Sequence, residues 1–405
     1  MYLIRGLKNL SLFNERFEKE KLVVTIGNFD GLHLGHKKII HKMKDVALSS
    51  NSKTMVIFTE PHAKEFFSFN KDITEQPTRI SPWRDKFKRL ENESVDYAFF
   101  LKFNISLQTM VPEVFIKEVL DSLNISHLLI GDDFRFGQDR KGDYTLLQKW
   151  SDSKGIKLSK LPTFSIEKRR VSSSWIRETL SKGDFEMTKD LLGRPYSFEG
   201  KVVPGNRLGR TIGFPTANIW LPKNNLPIKG VFSVKIRLDM SELKGIANIG
   251  IRPTVGGTSP VLEVNIFDFK KDIYGKRLKV QFVKKIRDEK KFDGLEELKT
   301  QIAKDVKTAQ EQLLNEREKD IIDIHKNVHL VHEIYQDIAK LVTDQQETVD
   351  DIEQNITSSL QDTNKGVEQL EKAKASQNKQ FRCGIYMFFI ILICITLFII
   401  ILRYI

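Results

Sequence analysis

The first residues whose types and spacing suggest chemistry lie near the N-terminus. The apolar run Val23–Ile26 leads into the segment GNFDGLHLGH (residues 27–36), after which a helix is predicted to begin near Lys37. Glycines let the backbone approach a ligand closely, and a helix N-terminus offers unpaired N–H groups and positive potential. His33 and His36, three residues apart, can then both point at one phosphate. The plain alternative is a glycine-rich turn that carries two surface histidines.

Two later segments are expected at the same edge of a sheet. GDDFRFG (residues 131–137) follows the apolar run His127–Ile130, and RVSSSWIR (residues 170–177) begins a predicted helix. Serine hydroxyls and the Arg177 guanidinium suit phosphate, although serine-rich helix starts are most often ordinary N-caps. A phosphate site and a plain cap therefore stay open as alternatives for the second segment.

Three blocks of sequence must position these residues. Residues 1–185 alternate apolar runs with charged helical stretches, the rhythm of a parallel sheet with crossover helices. Residues 186–314 contain short alternating strands between Gly, Pro and Asn turns, which predict a small antiparallel β-barrel closed by a final helix. Residues 315–380 contain no proline and repeat apolar residues at heptad spacing, which predicts one long coiled-coil helix.

The motifs of the first block resemble a known family when they are taken together. GNFDGLHLGH, GDDFRFG with the following RKGD, and VSSSWIR are similar to the N-terminal module of the prokaryotic bifunctional riboflavin kinase/FMN adenylyltransferases, or FAD synthetases. That module is an HxGH nucleotidyltransferase, which implies a Rossmann-like parallel sheet over residues 1–185. It also implies that FMN attacks the α-phosphorus of ATP and that pyrophosphate leaves. The family's last motif usually reads Ser-Ser-Thr, and Ser174 keeps a hydroxyl in the Thr place.

The resemblance assigns roles to residues of these motifs. His33 and His36 would stabilise the charge on the α-phosphate. Ser173 and Arg177 would hold the β- and γ-phosphates, since a guanidinium fork matches phosphate geometry. Five further residues would line the nucleotide or flavin site: Gly27, Asn28, Asp30, Gly35 and Asp133.

Four motifs of the second block also occur in a familiar order. LGRTIGFPTAN, ANIGIRPT, LEV and DIYGK resemble the riboflavin kinase barrel, which implies the fold of residues 186–314. The resemblance implies that Thr216 and Asn218 hold Mg²⁺ beside the ATP phosphates, because neutral oxygens suit that ion, and that Asn218 also contacts the nucleotide. It makes Glu263 the base for the ribityl hydroxyl and Arg210 a residue that closes over the phosphates. Without the resemblance, Glu263 reads as an ordinary surface carboxylate.

Charge and cysteine content restrict the partners of the chain. The net charge of the 405 residues is +12, and the part after Leu314 has 10 Lys and Arg against 14 Asp and Glu, so residues 1–314 carry +16. Such a basic body suits ATP, FMN and pyrophosphate. We see no stripe of aromatic residues interleaved with Lys and Arg, so no nucleic-acid partner is expected. Two cysteines provide no disulfide framework, which is typical of a reducing compartment.

The heptad segment carries one polar residue in an apolar seam. From Ile321 to Ala373 the seam positions alternate in steps of three and four, with Gln345 near the middle. The stretch DIAKLVTDQQETVDDIEQNI (residues 337–356) resembles the middle of a syntaxin-type Qa-SNARE motif, with Gln345 as the central-layer glutamine. The resemblance implies R-, Qb- and Qc-SNARE helices as partners. The alternative is a generic coiled-coil stalk that forms homo-oligomers.

The last residues predict a membrane anchor. Ile385–Leu402 contains no charged residue, and as a helix it is about 27 Å long, close to one hydrocarbon core. We therefore expect one transmembrane helix within residues 383–405, a tail anchor that leaves the preceding domains on the cytosolic side. Four basic residues before the span agree with this orientation: Lys372, Lys374, Lys379 and Arg382. The N-terminal stretch lacks the apolar core of a signal peptide.

The sequence thus favours a membrane-tethered bifunctional flavin enzyme. It would phosphorylate riboflavin to FMN with ATP and Mg²⁺, then adenylate FMN to FAD. The alternative is a SNARE-like fusion or interaction protein in which the enzyme is a passenger, or a homo-oligomeric stalk that displays the enzyme.

Overall fold

The computed structural model describes residues 1–405 except 18–19, 71–76, 206–207, 222–225, 255–256 and 405. The chain forms two compact units, Met1–Arg317 and Glu318–Ile405. The predicted parallel sheet, closed barrel and long C-terminal helix are all present.

The first part of the chain forms a six-stranded, entirely parallel sheet. Its strands are β1 Tyr2–Arg5, β2 Leu22–Ile26, β3 Lys53–Glu60, β4 Tyr97–Lys102, β5 Ile125–Gly131 and β6 Lys157–Leu161, in the order β1-β4-β3-β2-β5-β6. The inner strands are apolar on both faces because helices cover both faces of the sheet. The chain runs outward from β2 in one direction and from β5 in the other. Their carboxyl ends therefore form a topological switch point, where ligands of such sheets bind.

Short helices and a small hairpin surround the sheet. The helices are α1 Leu10–Arg16, α2 Leu34–Ser49, α3 Ala63–Asn70, α4 Trp83–Asn92, α5 Ile105–Gln108, α6 Pro112–Phe115, α7 Tyr144–Lys154, α8 Ser173–Lys182 and α9 Phe185–Leu192. Two 3₁₀ turns, Leu7–Asn9 and Gln138–Arg140, and one π-helical turn, Ile116–Leu120, accompany them. Strands β7 Ser165–Ile166 and β8 Arg169–Arg170 form the hairpin.

The next part of the chain closes into a six-stranded antiparallel barrel. Its elements are β9 Ser197–Val203, the short helix α10 Leu208–Thr211, β10 Ala217–Ile219, β11 Gly230–Leu238, β12 Ser241–Thr254, β13 Gly257–Ile266 and β14 Arg277–Arg287. The order is β10-β13-β12-β11-β14-β9, and β9 closes the barrel by pairing with both β14 and β10. Closure removes the exposed edges that such short strands would otherwise present.

Helices α8 and α9 share their core with the barrel. Trp175, Ile176 and Phe185 belong to the same buried cluster as Phe232 and Phe282 of the barrel strands. The Phe185 ring stacks 5.9 Å from the Phe282 ring and meets the Phe232 ring edge-on at 5.7 Å. Burial of rings this large fixes α8, which carries the predicted phosphate residues, against the barrel.

A single continuous helix, α11 Leu295–Tyr404, follows the barrel. The sequence predicts a closing helix, a heptad helix over 315–380 and a span within 383–405, and in the structure they are joined without a break because no proline interrupts them. Within the part of the chain that the structure describes, α11 is long and apolar enough to cross a bilayer. Ile405, the last residue of the predicted span, lies outside the described residues.

The beginning of α11 is fixed to the barrel by a buried ion pair. The Arg287 guanidinium donates from Nε and Nη2 to the Asp305 carboxylate at 2.8–3.1 Å, and Gln301 donates to the same carboxylate at 2.8 Å. Two turns further on, Gln312 accepts a hydrogen bond from the buried Ser233 hydroxyl, and Leu313 is fully buried.

Replacing Asp305 by Ala should lower the free energy of unfolding of unit Met1–Arg317 by about 3 kcal/mol, because the Arg287 charge then loses its partner in a mostly buried place. The matched control is Lys290→Met, which breaks the exposed Lys290–Glu297 pair near the start of the same helix, leaves the bond from the Asp293 N–H to Glu297 in place, and should leave that free energy almost unchanged. Urea unfolding of the full chain, followed by tryptophan fluorescence, measures both. Equal effects of the two substitutions would contradict the anchoring role of Asp305.

Candidate active sites

The loop after β2 begins the first candidate site at the switch point of the sheet. Helix α2 starts at Leu34, three residues earlier than predicted, because His33 is its N-cap and accepts the His36 backbone N–H on Nδ1 at 3.3 Å. Phe29 and Leu32 hold left-handed backbone conformations, with φ of 49° and 44°, while their side chains are buried. Non-glycine residues keep such conformations where packing enforces them, which is common at functional sites.

The two histidines of this loop are stacked, with His33 buried and His36 partly buried. Their ring centroids lie 3.6 Å apart at 18°, so they are not freely exposed surface histidines. Burial, with the nearby Arg170 and Arg194 charges, lowers the pKa of His33 to about 4. Burial and the neighbouring His33 and Lys86 lower the pKa of His36 well below its ordinary value. Both rings are therefore neutral at neutral pH, each with one N–H to donate.

One ring nitrogen of the pair lacks a protein partner. His36 Nδ1 is buried and has no hydrogen-bond partner among the described residues. A buried polar atom without a partner is costly, so this nitrogen suits a ligand that supplies one. Gly35 leaves the space for the stack, because a Cβ there would lie 3.1 Å from the His33 ring.

A second group of predicted residues meets around the carboxylate of Asp30. This side chain is 1 % exposed and accepts hydrogen bonds from Arg177 Nη2 at 2.5 Å and from the backbone N–H groups of Ile80 and Ser81 at 3.2 Å. The Asp30 carbonyl oxygen accepts from the Ser173 hydroxyl at 3.1 Å. Three sequence-predicted residues, Asp30, Ser173 and Arg177, are thus in direct contact.

Ser172, Ser173 and Arg177 lie close together in sequence but make different contacts. Arg177 Nε donates to the Thr78 carbonyl at 2.8 Å and Nη2 donates to Asp30, so two N–H groups of one guanidinium hold protein segments together. Ser172 is the N-cap of α8, where its hydroxyl accepts the Trp175 N–H at 3.3 Å. The plain-cap alternative therefore holds for Ser172, while the Ser173 hydroxyl is directed at Asp30.

Three other predicted residues lie at the rim of this site. Gly27 donates its N–H to Ile57 at 3.0 Å, and Asn28 accepts from the Thr59 hydroxyl at 3.3 Å, which joins the loop to the end of β3. Asp133 has a largely exposed side chain and pairs with Arg170 Nη2 at 2.8 Å. Among the described contacts, Asp133 is linked to the histidine pair only through Arg170, whose charge helps to lower the pKa of both histidines.

The structure adds a buried ionic cluster that sequence reasoning missed. Lys86 is fully buried with Nζ 3.1 Å from His62 Nε2, and burial lowers its pKa to about 8. Burial first, then the Lys86 charge, lowers the pKa of His62 to about 2. Arg79 donates to Glu60 at 2.6 Å and also to Glu65. A sequence signal was present as Glu60-Pro61-His62, which ends the apolar strand β3 at the edge of the sheet where ligands bind.

The second candidate site lies on the wall of the barrel. Asn218 of β10 is directly opposite Glu263 of β13, and Glu263 is directly opposite Asn248 of β12. Directly opposed residues share a face with Cβ atoms about 5 Å apart, so the three polar side chains form one row. Leu262 and Val264 alternate with Glu263 and are buried in the core, so the row faces away from the core. Asn248 had no predicted role.

Two segments near β10 lie close to this row. Gly205, which follows β9, is one of them, since a Cβ there would lie 2.2 Å from the Asn218 amide nitrogen. Asn265 Nδ2 donates to the Pro215 carbonyl at 2.7 Å, which fixes the segment of the half-buried Thr216 to β13. Arg210 is exposed on α10.

Three family models match successive parts of this chain. A FAD synthetase model matches residues 15–175 and a riboflavin kinase model matches residues 192–313. A SNARE domain model matches residues 312–391, which include the exposed Gln345.

Relatives cover the first three-quarters of the chain. The bifunctional riboflavin kinase/FMN adenylyltransferase of Haemophilus influenzae is 42 % identical over 311 residues, which are 76 % of this chain and 98 % of the relative. The Escherichia coli K12 protein of the same description is 40 % identical over 313 residues, 77 % of this chain and 97 % of its own. A crystal structure from Streptococcus pneumoniae, described as a macrolide-efflux protein, has 28 % identity and a TM-score of 0.62 over 75 % of this chain and 97 % of that one.

These relatives are matched over nearly their whole length, so the residues of this chain that follow the match have no counterpart in them. The C-terminal SNARE match is therefore an addition to a full-length catalytic part. The chain belongs to the bifunctional riboflavin kinase/FMN adenylyltransferase family, to which it adds a SNARE domain.

Proposed function

We propose that the chain phosphorylates riboflavin to FMN with ATP at the barrel site and adenylates FMN to FAD at the sheet site. The observation that carries this proposal is the stacked, neutral pair His33 and His36 at a helix start, in which the buried His36 Nδ1 has no partner among the described residues. The relatives, whose names state both activities, support it over residues 1–314.

Adenylyl transfer needs positioning and charge stabilisation rather than a protein nucleophile. A phosphate oxygen of FMN attacks the α-phosphorus of ATP, and the bond from that phosphorus to the bridging oxygen breaks as pyrophosphate leaves. His33 and His36 donate their N–H groups to the α-phosphate, and the α2 N-terminus adds positive potential. Neutral N–H donors suffice to stabilise the α-phosphate because the negative charge is already on the phosphates of the substrates.

The contacts around Asp30 prepare the phosphate-binding side of the same site. Asp30 holds Arg177 and Ser173 in place, and the guanidinium edge not bonded to Asp30 or Thr78 contacts the β- and γ-phosphates. Three residues complete the nucleotide or flavin lining: Gly27, Asn28 and Gly35. Asp133 contributes from the rim, since it is paired with Arg170.

Kinase chemistry needs a base and a site for Mg²⁺ with ATP. Glu263, opposite Asn218, takes the proton of the ribityl hydroxyl as its oxygen attacks the γ-phosphorus and ADP leaves. Thr216 and Asn218 offer neutral oxygens that would hold Mg²⁺ together with phosphate oxygens. When bound, the ion neutralises phosphate charge, and Arg210 closes over the phosphates.

We further propose that the C-terminal helix tethers the enzyme. Residues 383–405 span a membrane, with the catalytic part on the cytosolic side, as the basic residues before the span favour. R-, Qb- and Qc-SNARE helices pack along the seam that contains Gln345, because its apolar residues, among them Ile338, are exposed in the single chain. No observation favours an enzyme that is merely a passenger.

Arg177→Ala should abolish FAD formation from supplied FMN while sparing FMN formation from riboflavin, and Glu263→Ala should do the reverse. Arg177 belongs to the sheet site and Glu263 to the barrel site. The activity that each variant keeps therefore shows that the variant is folded. Because Arg177→Ala leaves a buried charge on Asp30, the double variant Asp30→Asn/Arg177→Met serves as a neutral pair and should show the same selective loss. Chromatography of the flavins measures both products. Loss of both activities from either single substitution, with folding intact, would refute the two-site assignment.

His33 should make the protein less stable in acid. Its pKa is about 4 in the folded state and about 6.5 when unfolded, so the unfolded chain binds more protons between these values. The free energy of unfolding contributed by this group therefore falls by about 2–3 kcal/mol as the pH drops from 7 to 4.5. Urea unfolding at both pH values should show a smaller drop for His33→Asn. The same drop in the variant and the wild type would mean that His33 is not held neutral.

Ile338→Asp should weaken any complex of the tail with R-, Qb- and Qc-SNARE helices, because it places a charge in the apolar seam. The matched control is Thr343→Asp, which adds the same charge outside the seam and should have little effect. SDS resistance of the mixed helices on a gel measures the complex. Clean self-association of the tail, with no hetero-complex, would favour the homo-oligomeric stalk instead.

A further inference from the structure

The connector between α9 and β9 contacts the adenylyltransferase loops through Arg194 and Tyr196. Neither residue has a place in the chemistry described above. Both lie within the part of the chain that matches the riboflavin kinase model. Their contacts therefore run from the kinase half of the chain to the site of the other reaction.

Arg194 holds the backbone directly before His33. Its Nη2 donates to the Gly31 carbonyl at 2.5 Å, and its Nη1 lies 3.5 Å from the Leu32 carbonyl and 3.1 Å from the Leu192 carbonyl. Gly31 and Leu32 have φ of 77° and 44°, so this is the left-handed part of the loop. After burial and Arg170, the Arg194 charge is the next contribution that lowers the pKa of His33.

Tyr196 holds the segment that supports Asp30. Its buried hydroxyl donates to the Ile80 carbonyl at 3.1 Å, and the N–H of the same Ile80 donates to the Asp30 carboxylate at 3.2 Å. The Ile80 side chain is 1 % exposed and fills the space beside Gly31, where a Cβ would approach it to 2.7 Å. One tyrosine hydroxyl therefore fixes a peptide that contacts both the carboxylate and the loop.

The other side of the connector is fixed to the barrel. Phe282 of β14 donates its N–H to the Tyr196 carbonyl at 3.1 Å, and the two rings lie 5.7 Å apart. Ile80 itself is part of the buried cluster that contains the barrel core. The barrel thus supports the connector, and the connector in turn holds the loop before His33 in place through Arg194 and Tyr196.

We propose that Arg194 and Tyr196 are positioning residues for adenylyl transfer, through which the kinase barrel holds the histidine loop and Asp30 in their reactive geometry. The inference rests on the proposed function of the sheet site. It makes FAD formation depend on two residues of the kinase half that touch no substrate, while FMN formation at the barrel wall does not depend on them.

The size of the expected effect follows from the geometry. Left-handed non-glycine residues each cost about 1–3 kcal/mol and persist only when their surroundings enforce them. Arg194→Met removes two hydrogen bonds from this stretch, and a misplacement of about 1 Å can cost about 100-fold in rate. Tyr196→Phe removes one hydrogen bond and keeps the ring, so its effect should be smaller.

The test measures both activities in the full chain, purified in detergent. Arg194→Met should lower kcat for FAD formation from supplied FMN about 10- to 100-fold, and Tyr196→Phe about 3- to 10-fold, with little change in KM because neither residue contacts substrate. FMN formation should stay within twofold of the wild type. Arg194→Lys should recover part of the loss, since an ammonium group also donates to carbonyl oxygens.

The control residue is Glu199, which also connects the two halves of the chain but at a different point. Glu199 of β9 pairs with Lys88 of α4 at 3.0 Å and with Arg277 of β14 at 2.8 Å, without contacting the loop. Glu199→Gln should therefore leave both activities unchanged.

Three results would overturn the inference. The first is normal FAD formation by Arg194→Met and Tyr196→Phe, and the second is an equal fall of both activities, which indicates general destabilisation. The third is a loss in Glu199→Gln as large as in Arg194→Met. A wild-type chain that forms FMN but no FAD would instead overturn the proposed function of the sheet site, and the inference with it.

Discussion

The first site depends on one buried charge, the carboxylate of Asp30. A carboxylate that is 1 % exposed is tolerated only with a cation and hydrogen-bond donors around it, and here Arg177 and two backbone N–H groups supply them. Because these donors come from α8 and from the segment after α3, the carboxylate joins three distant parts of the chain at the carboxyl edge of the sheet. The histidine loop and its arginine therefore reach their positions before any substrate is bound.

Burial also decides what the site can do once it is assembled. The stacked imidazoles are neutral, so each offers an N–H group without bringing a charge that would need a counter-ion. Positive charge lies around them on Arg170, Arg194 and Lys86, and it adds to burial in lowering the pKa of the two histidines. At the barrel, a row of neutral amides beside one carboxylate suits a metal ion that arrives with phosphate. The two proposed reactions call for preorganised donors and charges rather than for protein nucleophiles.

Sequence motifs predicted the order of the elements and the candidate site residues. They did not predict the contacts between residues that are far apart in the chain. The order of the elements was accessible because residue patterns identify helices and strands. Asn218 and Glu263 were named through the family resemblance, whereas their direct opposition across β10 and β13 was not predicted. Helix α2 was predicted to start too late because histidine is not a usual N-cap. The Arg194 contact with Gly31 joins residues 163 apart, and the buried state of Lys86 depends on packing. Asp30 was expected to line a ligand site, whereas it first serves as the counter-ion of Arg177.

The central claim is that one polypeptide carries two phosphate-handling sites on a tethered enzyme. Its most direct test gives the purified full-length protein vitamin B2, ATP and Mg²⁺ and follows the flavins over time. The account predicts that FMN appears first and that FAD follows, with one pyrophosphate released for each FAD. A well-folded preparation that leaves riboflavin unchanged and does not convert added FMN would contradict it.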